Sequence, residues 1–331
     1  MDRTVRAVVA DALPEATVSG IETPATGNTK RTAFVSLADG RDLVVQTRPA
    51  NPEDTGAGLA TEARLAREID RRTEVPVPRV LAGGTVEGFE YLLTERAPGE
   101  DLHARFVDLS RADREATVRS MGRWLAALHD AFAFEGYGSV VLGGDRLLVA
   151  DPVTDWRAWF RGYVERALSS LVDGTSESLA GLASRVREAV DAGLADLPAD
   201  PGARLFPWDL RPGNATVVDG TVTALLDWGE PLAAARGLSL AKSAYVTADW
   251  YLPGAADRLR SAFLDGYRDR LALPDRSSTE RRLYRIAAVV ASAVDSRGCV
   301  TRPHYPELGD EAAAAFHRRH LLAALDGETP V

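Results

Sequence analysis

The stretch Phe206-Pro-Trp-Asp-Leu-Arg-Pro-Gly-Asn214, followed by Ala-Thr-Val-Val-Asp-Gly-Thr-Val-Thr-Ala-Leu-Leu and then Asp227-Trp228, constrains this chain more than any other. Two β-prone runs flank Asp219-Gly220, a dipeptide suited to closing a two-residue hairpin. With that turn, Val218 faces Thr221, and counting outward sets Asn214 opposite Leu225. Side chains alternate along a strand, so Leu225 and Asp227 share a face. Asn214 and Asp227 are therefore expected at one end and on one face of a single hairpin, close enough to share a cation. Asp209 precedes Asn214 by five residues in a Pro/Gly-containing loop and is free to approach that end. Two carboxylates and an amide oxygen form a hard, oxygen-only donor set that suits magnesium better than zinc or copper. Magnesium held this way normally shares its shell with phosphate oxygens, which implies phosphoryl transfer. Asp209 is then the member left to orient an attacking hydroxyl and accept its proton. Singly, Asp209 and Asn214 are ordinary turn caps; it is their joint spacing with Asp227 that points to a site.

The surrounding chain divides into a sheet-rich beginning and a helical remainder. A short helix is expected around Thr4 to Leu13, and two strands from Ala33 to Gln46 joined at Asp39-Gly40. A helix follows over Leu59 to Arg72, ended by the prolines of Val75-Pro-Val-Pro78. After a strand at Tyr91 to Thr94, Arg96-Ala-Pro-Gly99 punctuates the chain. Nearly continuous helix is expected from Asp101 to Leu197, then the Ala215 to Leu226 hairpin, then helices from Leu238 onward. This is α+β architecture: a small β-rich lobe over residues 1–95, a hinge over 96–100, and a larger, mostly helical lobe over 101–331 that carries the hairpin.

Composition narrows the function classes. A net charge of −9 with no clustered basic segment argues against nucleic-acid binding. No apolar run reaches the roughly 18 residues of a membrane span, so a soluble cytoplasmic protein is expected, and the single cysteine, Cys299, suits a reducing compartment. Only two of the 39 basic residues, Lys30 and Lys242, are lysines. His317 and His320 are three apart on a probable helix without a carboxylate or cysteine partner, and read as solvated histidines. His129 reads as a satisfied buried histidine, and Trp156, Trp159 and Phe160 as a core-packing stripe.

The central motif resembles the signature of the aminoglycoside phosphotransferase and choline kinase-like family of small-molecule kinases, roughly His-Gly-Asp-x-x-x-x-Asn followed by an Ile-Asp-Trp strand end. The matching residues are Asp209, Asn214 and Leu226-Asp227-Trp228. The similarity extends through Glu62-Ala63-Arg64, Val75-Pro-Val-Pro-Arg79, Tyr91 to Glu100, Leu125-Ala-Ala-Leu-His129 and Phe263-Leu-Asp-Gly-Tyr267. It implies a two-lobed, protein-kinase-like fold that binds ATP and Mg2+ and acts on a small-molecule hydroxyl. Adenine would lie against the Tyr91 to Glu100 hinge, where Glu95 is the candidate contact. Asp209 would be the base, Asn214 and Asp227 the magnesium ligands, and Glu62 part of the helix that supports a phosphate-binding lysine.

Three departures accompany the match. The strand position of the family's lysine falls at Gln46, which brings no charge. Counting from Asp39-Gly40 puts Gln46 opposite Ala33, so Arg31 and Arg48 share its face, and Arg31 is the expected substitute. Lys30 lies in the Gly27 to Arg31 loop that should cover the phosphates, but strict alternation points it to the other face unless a bulge intervenes. Pro207-Trp208 replaces the His-Gly pair, and Ala235-Arg-Gly-Leu-Ser-Leu240 replaces the segment that steadies the catalytic loop. These losses keep a second reading open, a nucleotide-binding pseudoenzyme with a regulatory or scaffolding role. A protein kinase fits less well, because no activation segment follows Asp227-Trp228.

Overall fold

The computed structural model describes residues 2–24, 30–51, 58–174, 177–295, 297–304 and 306–328. Helix α1 (Asp2–Ala12) leads into an antiparallel five-stranded sheet of β1 (Val18–Glu22), β2 (Arg31–Leu37), β3 (Asp42–Pro49), β4 (Val80–Val86) and β5 (Phe89–Glu95), in the order β1-β2-β3-β5-β4. Alternation gives this sheet two different faces. Ala33, Val35, Leu37, Leu43, Val45 and Leu93 pack against Val5, Val8 and Val9 of α1. Thr32, Phe34, Val44, Gln46, Leu92 and Thr94 line a cleft on the opposite side. Helix α2 (Leu59–Arg72) ends where Pro76 and Pro78 would deprive it of backbone donors, and its Leu65, Ala66 and Ile69 belong to the main core of the second lobe.

The turn of β2–β3 differs from the expected one. Ser36 pairs with Asp42 and Thr32 with Gln46, so the loop is the three residues Ala38, Asp39 and Gly40, not the Asp-Gly pair alone. Gly40 adopts φ 89° while Asp39 stays at negative φ, the arrangement of a three-residue hairpin loop closed by a left-handed glycine. One residue of slip reverses the faces. Arg31, the sequence-based substitute for the missing lysine, pairs with Thr47 and is exposed away from the cleft. Lys30 takes the Gln46 side. Arg48 is held elsewhere, by Glu90 at 2.8 Å. Most of the loop preceding Lys30, including Gly27, lies outside the described residues.

The segment after Glu95 is fastened to the hairpin that begins at Ala215. Strand β6 (Glu100–Asp101) adds to β11 (Ala215–Val218), which pairs with β12 (Thr221–Leu225). Gly99 is at φ 110°, and a Cβ there would come within 2.4 Å of the Val217 carbonyl oxygen, so only glycine allows this approach. Asp219 and Gly220 both have positive φ, as a two-residue turn of the mirror-image type requires.

The second lobe is helical, with α3 (Leu102–Arg105), α4 (Arg111–Ala131), α5 (Trp156–Gly174), α6 (Glu177–Ala180), α7 (Ala183–Gly193), α8 (Arg236–Ala244), α9 (Ala256–Arg268), α10 (Ser278–Ser292) and α11 (Asp310–Leu325). The expectation of nearly unbroken helix from Asp101 to Leu197 fails. Strands β7 (Ala133–Phe134), β8 (Gly138–Gly143) and β9 (Arg146–Val149) interrupt it and join β10 (Ala203–Phe206) and β13 (Leu232–Ala235) in the order β7-β10-β13-β8-β9. Helices α4 and α9 cross at Gly122 and Gly266, where a Cβ would collide with the carbonyl oxygens of Phe263 and Arg119. No helix among the described residues is long and apolar enough to cross a membrane.

Candidate active site

A β-bulge corrects the hairpin register on which the metal argument rested. Ala215, not Asn214, faces Leu225, because Thr216 pairs with Ala224 while Val217 pairs with Val222, leaving Thr223 as an extra residue. Thr223 uses the bulge to donate its hydroxyl to the Pro98 carbonyl at 2.6 Å. Asn214 moves opposite Leu226, whose N–H it accepts at 2.7 Å. Asp227 follows in the left-handed region, φ 59°. Asn214 and Asp227 nevertheless line the same cleft as Gln46 and Glu62.

Lys30 brings a cation into this cleft. Its ammonium donates to Glu62 Oε2 at 2.5 Å and to Asp227 Oδ1 at 2.7 Å. Burial alone would lower the Lys30 pKa, but the charges of Glu62 and Asp227 outweigh it and the pKa is raised. Glu62 is 3 % exposed, and burial drives its pKa up against the pull of Lys30. Its second oxygen accepts the Trp228 N–H at 3.2 Å, tying α2 to the Asp227 segment. Glu95 lines the cleft further out and pairs with Arg79 at 3.2 Å.

Asp209 sits on a loop clasped at three consecutive carbonyls. Lys242 of α8 donates to Trp208 O, the Asn214 amide to Asp209 O at 2.8 Å, and Thr247 to Leu210 O at 2.9 Å. Thr247 lies in a single π-helical turn, Tyr245–Asp249, which extends α8 and directs the hydroxyl at the loop. The Asp209 carboxylate accepts from Arg211 Nε at 2.8 Å and from the Asn214 amide at 3.1 Å, both through Oδ2. Burial pushes its pKa up, but the Arg211 guanidinium, the Lys242 ammonium and these hydrogen bonds outweigh burial, and the net shift is downward. With its nitrogen committed to Asp209, the Asn214 amide keeps its oxygen for another partner.

Lys242, Arg211 and Thr247 escaped the sequence reading. The Ala235 to Leu240 segment looked deprived of its loop supports, yet the supports lie just beyond it on α8 and the π turn. A usable signal was present: a chain that writes 37 of its 39 basic residues as arginine keeps lysine at two positions, and both are here. The remaining side-chain expectations divide. His129 is buried between Tyr267 Oη at 2.8 Å and Ser239 Oγ at 3.0 Å. His317 is not solvated: it is fully buried, bonded to Tyr245 Oη and the Thr301 carbonyl, and burial lowers its pKa to about 4. Trp156 and Phe160 are core, while Trp159 also borders a cavity.

That cavity, about 730 Å³, adjoins the cleft under the sheet. Lys30 and Asp227 line both spaces; of the two, Asn214 lines the cleft and Asp209 the cavity. Among the described residues no three His, Cys, Asp or Glu side chains group to hold a metal, so a cation here would complete its shell from a ligand.

A comparison with curated proteins gives no match. Among solved structures, the fold is similar to a thermostable mutant of aminoglycoside phosphotransferase APH(4)-Ia in ternary complex with AMP-PNP and hygromycin B, at TM-score 0.66 and 17 % identity over 98 % of each chain. It is also similar to a fructosamine-3-kinase-like protein from Thermobifida fusca, at TM-score 0.58 and 21 % identity over 97 % of each chain. A third similar structure is macrolide 2'-phosphotransferase MphH from Brachybacterium faecium, at TM-score 0.56 and 20 % identity over 98 % of each chain. These likenesses establish the two-lobed kinase-like fold, and a family model, "Phosphotransferase enzyme family", matches residues 20–278. With that match covering most of its length, the chain belongs to the phosphotransferase enzyme family.

Proposed function

We propose that this protein transfers the γ-phosphate of ATP to a hydroxyl of a small molecule in the cytoplasm, with residues 1–95 and 101–331 as its lobes and 96–100 as the hinge. One observation carries the reading: Lys30 and Asp227 stand at the junction of two spaces, with Asn214 in one and Asp209 in the other. A nucleotide in the cleft would present its terminal phosphate at that junction, and an acceptor in the cavity would meet it there. Adenine belongs at the hinge end of the cleft, beside Glu95, with Gln46 lining the space between.

The Asn214 amide oxygen and the Asp227 carboxylate are the residues that would hold magnesium, which when bound neutralises phosphate charge. Lys30, positioned by Glu62, supplies the protein's own positive charge to the phosphates. Asp209, fixed by Arg211 and Asn214, stays ionised and orients the acceptor hydroxyl, taking its proton as the new oxygen–phosphorus bond forms and the bond from the γ-phosphorus to the ADP oxygen breaks. The pseudoenzyme alternative drew on Gln46, Pro207 and the segment from Ala235 to Leu240. Lys30 supplies the charge that Gln46 lacks, and Lys242 and Thr247 hold the loop, which favours the enzyme.

The test is thermal stability with Mg-ATP. A ligand that binds only the native state adds RT ln(1 + [L]/Kd), about 2.7 kcal/mol at a hundredfold excess over Kd. Asp227→Ala should remove most of the magnesium-dependent part. No shift with nucleotide and metal at millimolar concentration would overturn the reading.

A further inference from the structure

Where α8, α9 and α10 meet, away from the nucleotide cleft and the cavity beside it, lies a hollow of about 40 Å³. Its apolar wall includes Ala244 of α8 and Leu264 of α9. The charged side chains that line it among the described residues are all arginines: Arg260 from α9, Arg276 from the segment before α10, and Arg281 and Arg285 one turn apart on α10. Like charges four residues apart on a helix repel. Arg276 and Arg281 also stand at the end of α10 whose free N–H groups carry partial positive charge. Such a gathering of cations costs stability unless anions answer it.

The acids within reach answer part of it. The Asp249 carboxylate accepts from Arg285 at 2.7 Å and from Arg260, and the exposed Asp257 accepts from Arg260 at 2.9 Å. These ion pairs all belong to Arg260 and Arg285; among the described residues neither Arg276 nor Arg281 has a carboxylate partner. Glu280 is buried beside Tyr284, and burial holds its pKa up. Arg281 spends one Nη on the Arg276 carbonyl at 2.6 Å. The Arg276 guanidinium donates no hydrogen bond among the described residues, and its Nε–H is buried without a partner, where buried polar groups are nearly always satisfied. Burial lowers the Arg276 pKa, with Glu280 opposing and the Arg281 charge adding to it.

Two guanidinium groups are therefore left over, and they set the charge of what would match them. A dianion answers both, a monoanion only one. Guanidinium forks take tetrahedral oxyanions through paired N–H groups, and a phosphate group carries about −1.5 to −2 at pH 7. A hollow of about 40 Å³ admits a few waters or one such group, so any larger body of the ligand stays outside. We infer that Arg276 and Arg281, backed by Arg260 and Arg285, form a binding site for a phosphate group, free or carried as a monoester by a small molecule. The site goes beyond the phosphotransfer reading and does not depend on it.

The experiment titrates the full chain at constant ionic strength with inorganic phosphate, glycerol phosphate and acetate, followed by calorimetry and phosphorus NMR. At least one of the two phosphates should bind saturably at millimolar concentration, and the tighter of them names the source. Arg276→Gln should weaken that binding about tenfold or more, the worth of a hydrogen bond to a charged group, and the further change Arg281→Gln should abolish it. Ligand-free Arg276→Gln should melt no lower than wild type, because the change removes a buried charge that has no partner. The Lys30→Met/Glu62→Gln double variant, altered in the nucleotide cleft, should keep the wild-type phosphate affinity. Binding lost in that variant but kept in Arg276→Gln would put the phosphate in the cleft and overturn the inference. Lower stability of Arg276→Gln with unchanged affinity, the mark of a purely structural arginine, also overturns it. So does acetate binding as tightly as phosphate, or no saturable binding of either phosphate.

Discussion

The ammonium of Lys242 lies 3.7 Å from the centroid of the Trp208 ring and donates to the carbonyl oxygen of the same residue, so a single buried cation holds both the backbone and the side chain that precede Asp209. Lys242 is 2 % exposed, and its direct neighbours are this carbonyl and the faces of Trp208 and Phe206, with no carboxylate paired to it among the described residues. Desolvation lowers its pKa to about 8, against the pull of Asp209.

The pH dependence follows from that depression. Between the folded value near 8 and the unfolded value of 10.5, the unfolded chain binds more protons, so stability rises with pH through this window and the cost of burying the ion is fully present below it. Over that window the term is worth roughly 3 kcal/mol, as 1.36 kcal/mol per pKa unit implies. Lys242→Met should remove it. Subtracting the variant's urea-unfolding free energy from the wild type's at each pH from 7 to 10.5 isolates this lysine from the tyrosines that titrate nearby. A difference that stays flat with pH would show that folding leaves the Lys242 pKa undepressed.

Lys30 and Glu62 are a buried pair with an exposed third member, since the Asp227 side chain is 53 % exposed. Removing one partner of a buried pair typically costs about 3–5 kcal/mol, because the other is left uncompensated. Lys30→Met should therefore destabilise the ligand-free protein, and adding Glu62→Gln should recover most of the loss, a coupling that a double-mutant cycle measures. The same Lys30→Met variant should bind Mg-ATP roughly ten- to a hundredfold more weakly, the range for a hydrogen bond to a charged group. Additive losses in the cycle would mean that the contact is not a coupled pair.

A second buried cluster lies at the end of the π turn. The Asp249 carboxylate, with no exposed side-chain surface, accepts from Arg285 at 2.7 Å and from Arg260. Asp249→Ala leaves the buried Arg285 guanidinium without a carboxylate and Arg260 with only the exposed Asp257, and should cost about 3–5 kcal/mol. Denaturant titration should show the midpoint falling with an unchanged slope; a loss below about 1 kcal/mol would be the value of a surface pair instead.

How far the sequence reached can be judged at particular residues. Helix α2 has the bounds expected of it because its stop signal is covalent: proline has no N–H to donate. The two Asp-Gly turns had identical signals and different outcomes. Asp219-Gly220 forms the two-residue turn, while Asp39-Gly40 closes a three-residue loop, for which glycine after a helical-φ residue serves equally well. That single residue of ambiguity moved the cleft-facing cation from Arg31 to Lys30. The bulge at Thr223 was invisible because its cause, the Pro98 carbonyl, lies 125 residues away in the chain. Strands β7 and β13 are two and four residues long and carry too little periodicity to register. The nearness of Asp209, Asn214 and Asp227 was legible because a short loop and a hairpin keep them local; Lys242 and Thr247 were missed because they reach the loop from a separate helix and its π turn.

Asp209 gives the sharpest test of the catalytic assignment. Its Oδ2 is engaged by Arg211 and Asn214, whereas Oδ1 has no hydrogen bond among the described residues. Orienting and deprotonating the acceptor is an interaction made in the transition state, while Asn214 and Asp227 would act on the metal already in the ground state. Asp209→Asn keeps the shape and a hydrogen-bonding oxygen but removes the charge. Loss of general-base assistance typically lowers the rate by roughly 10² to 10⁴, so turnover should fall by about that factor while the Mg-ATP thermal shift stays near normal. Because Arg211 and Lys242 hold the Asp209 pKa down in spite of its burial, the acid limb of the wild-type rate should fall below the ordinary aspartate value of about 3.9. ATP consumption with neutral sugars, amino sugars and amino alcohols, followed across pH for both proteins, measures each expectation. Equal turnover by wild type and Asp209→Asn would remove Asp209 as the base and leave the fold and the nucleotide cleft as they stand.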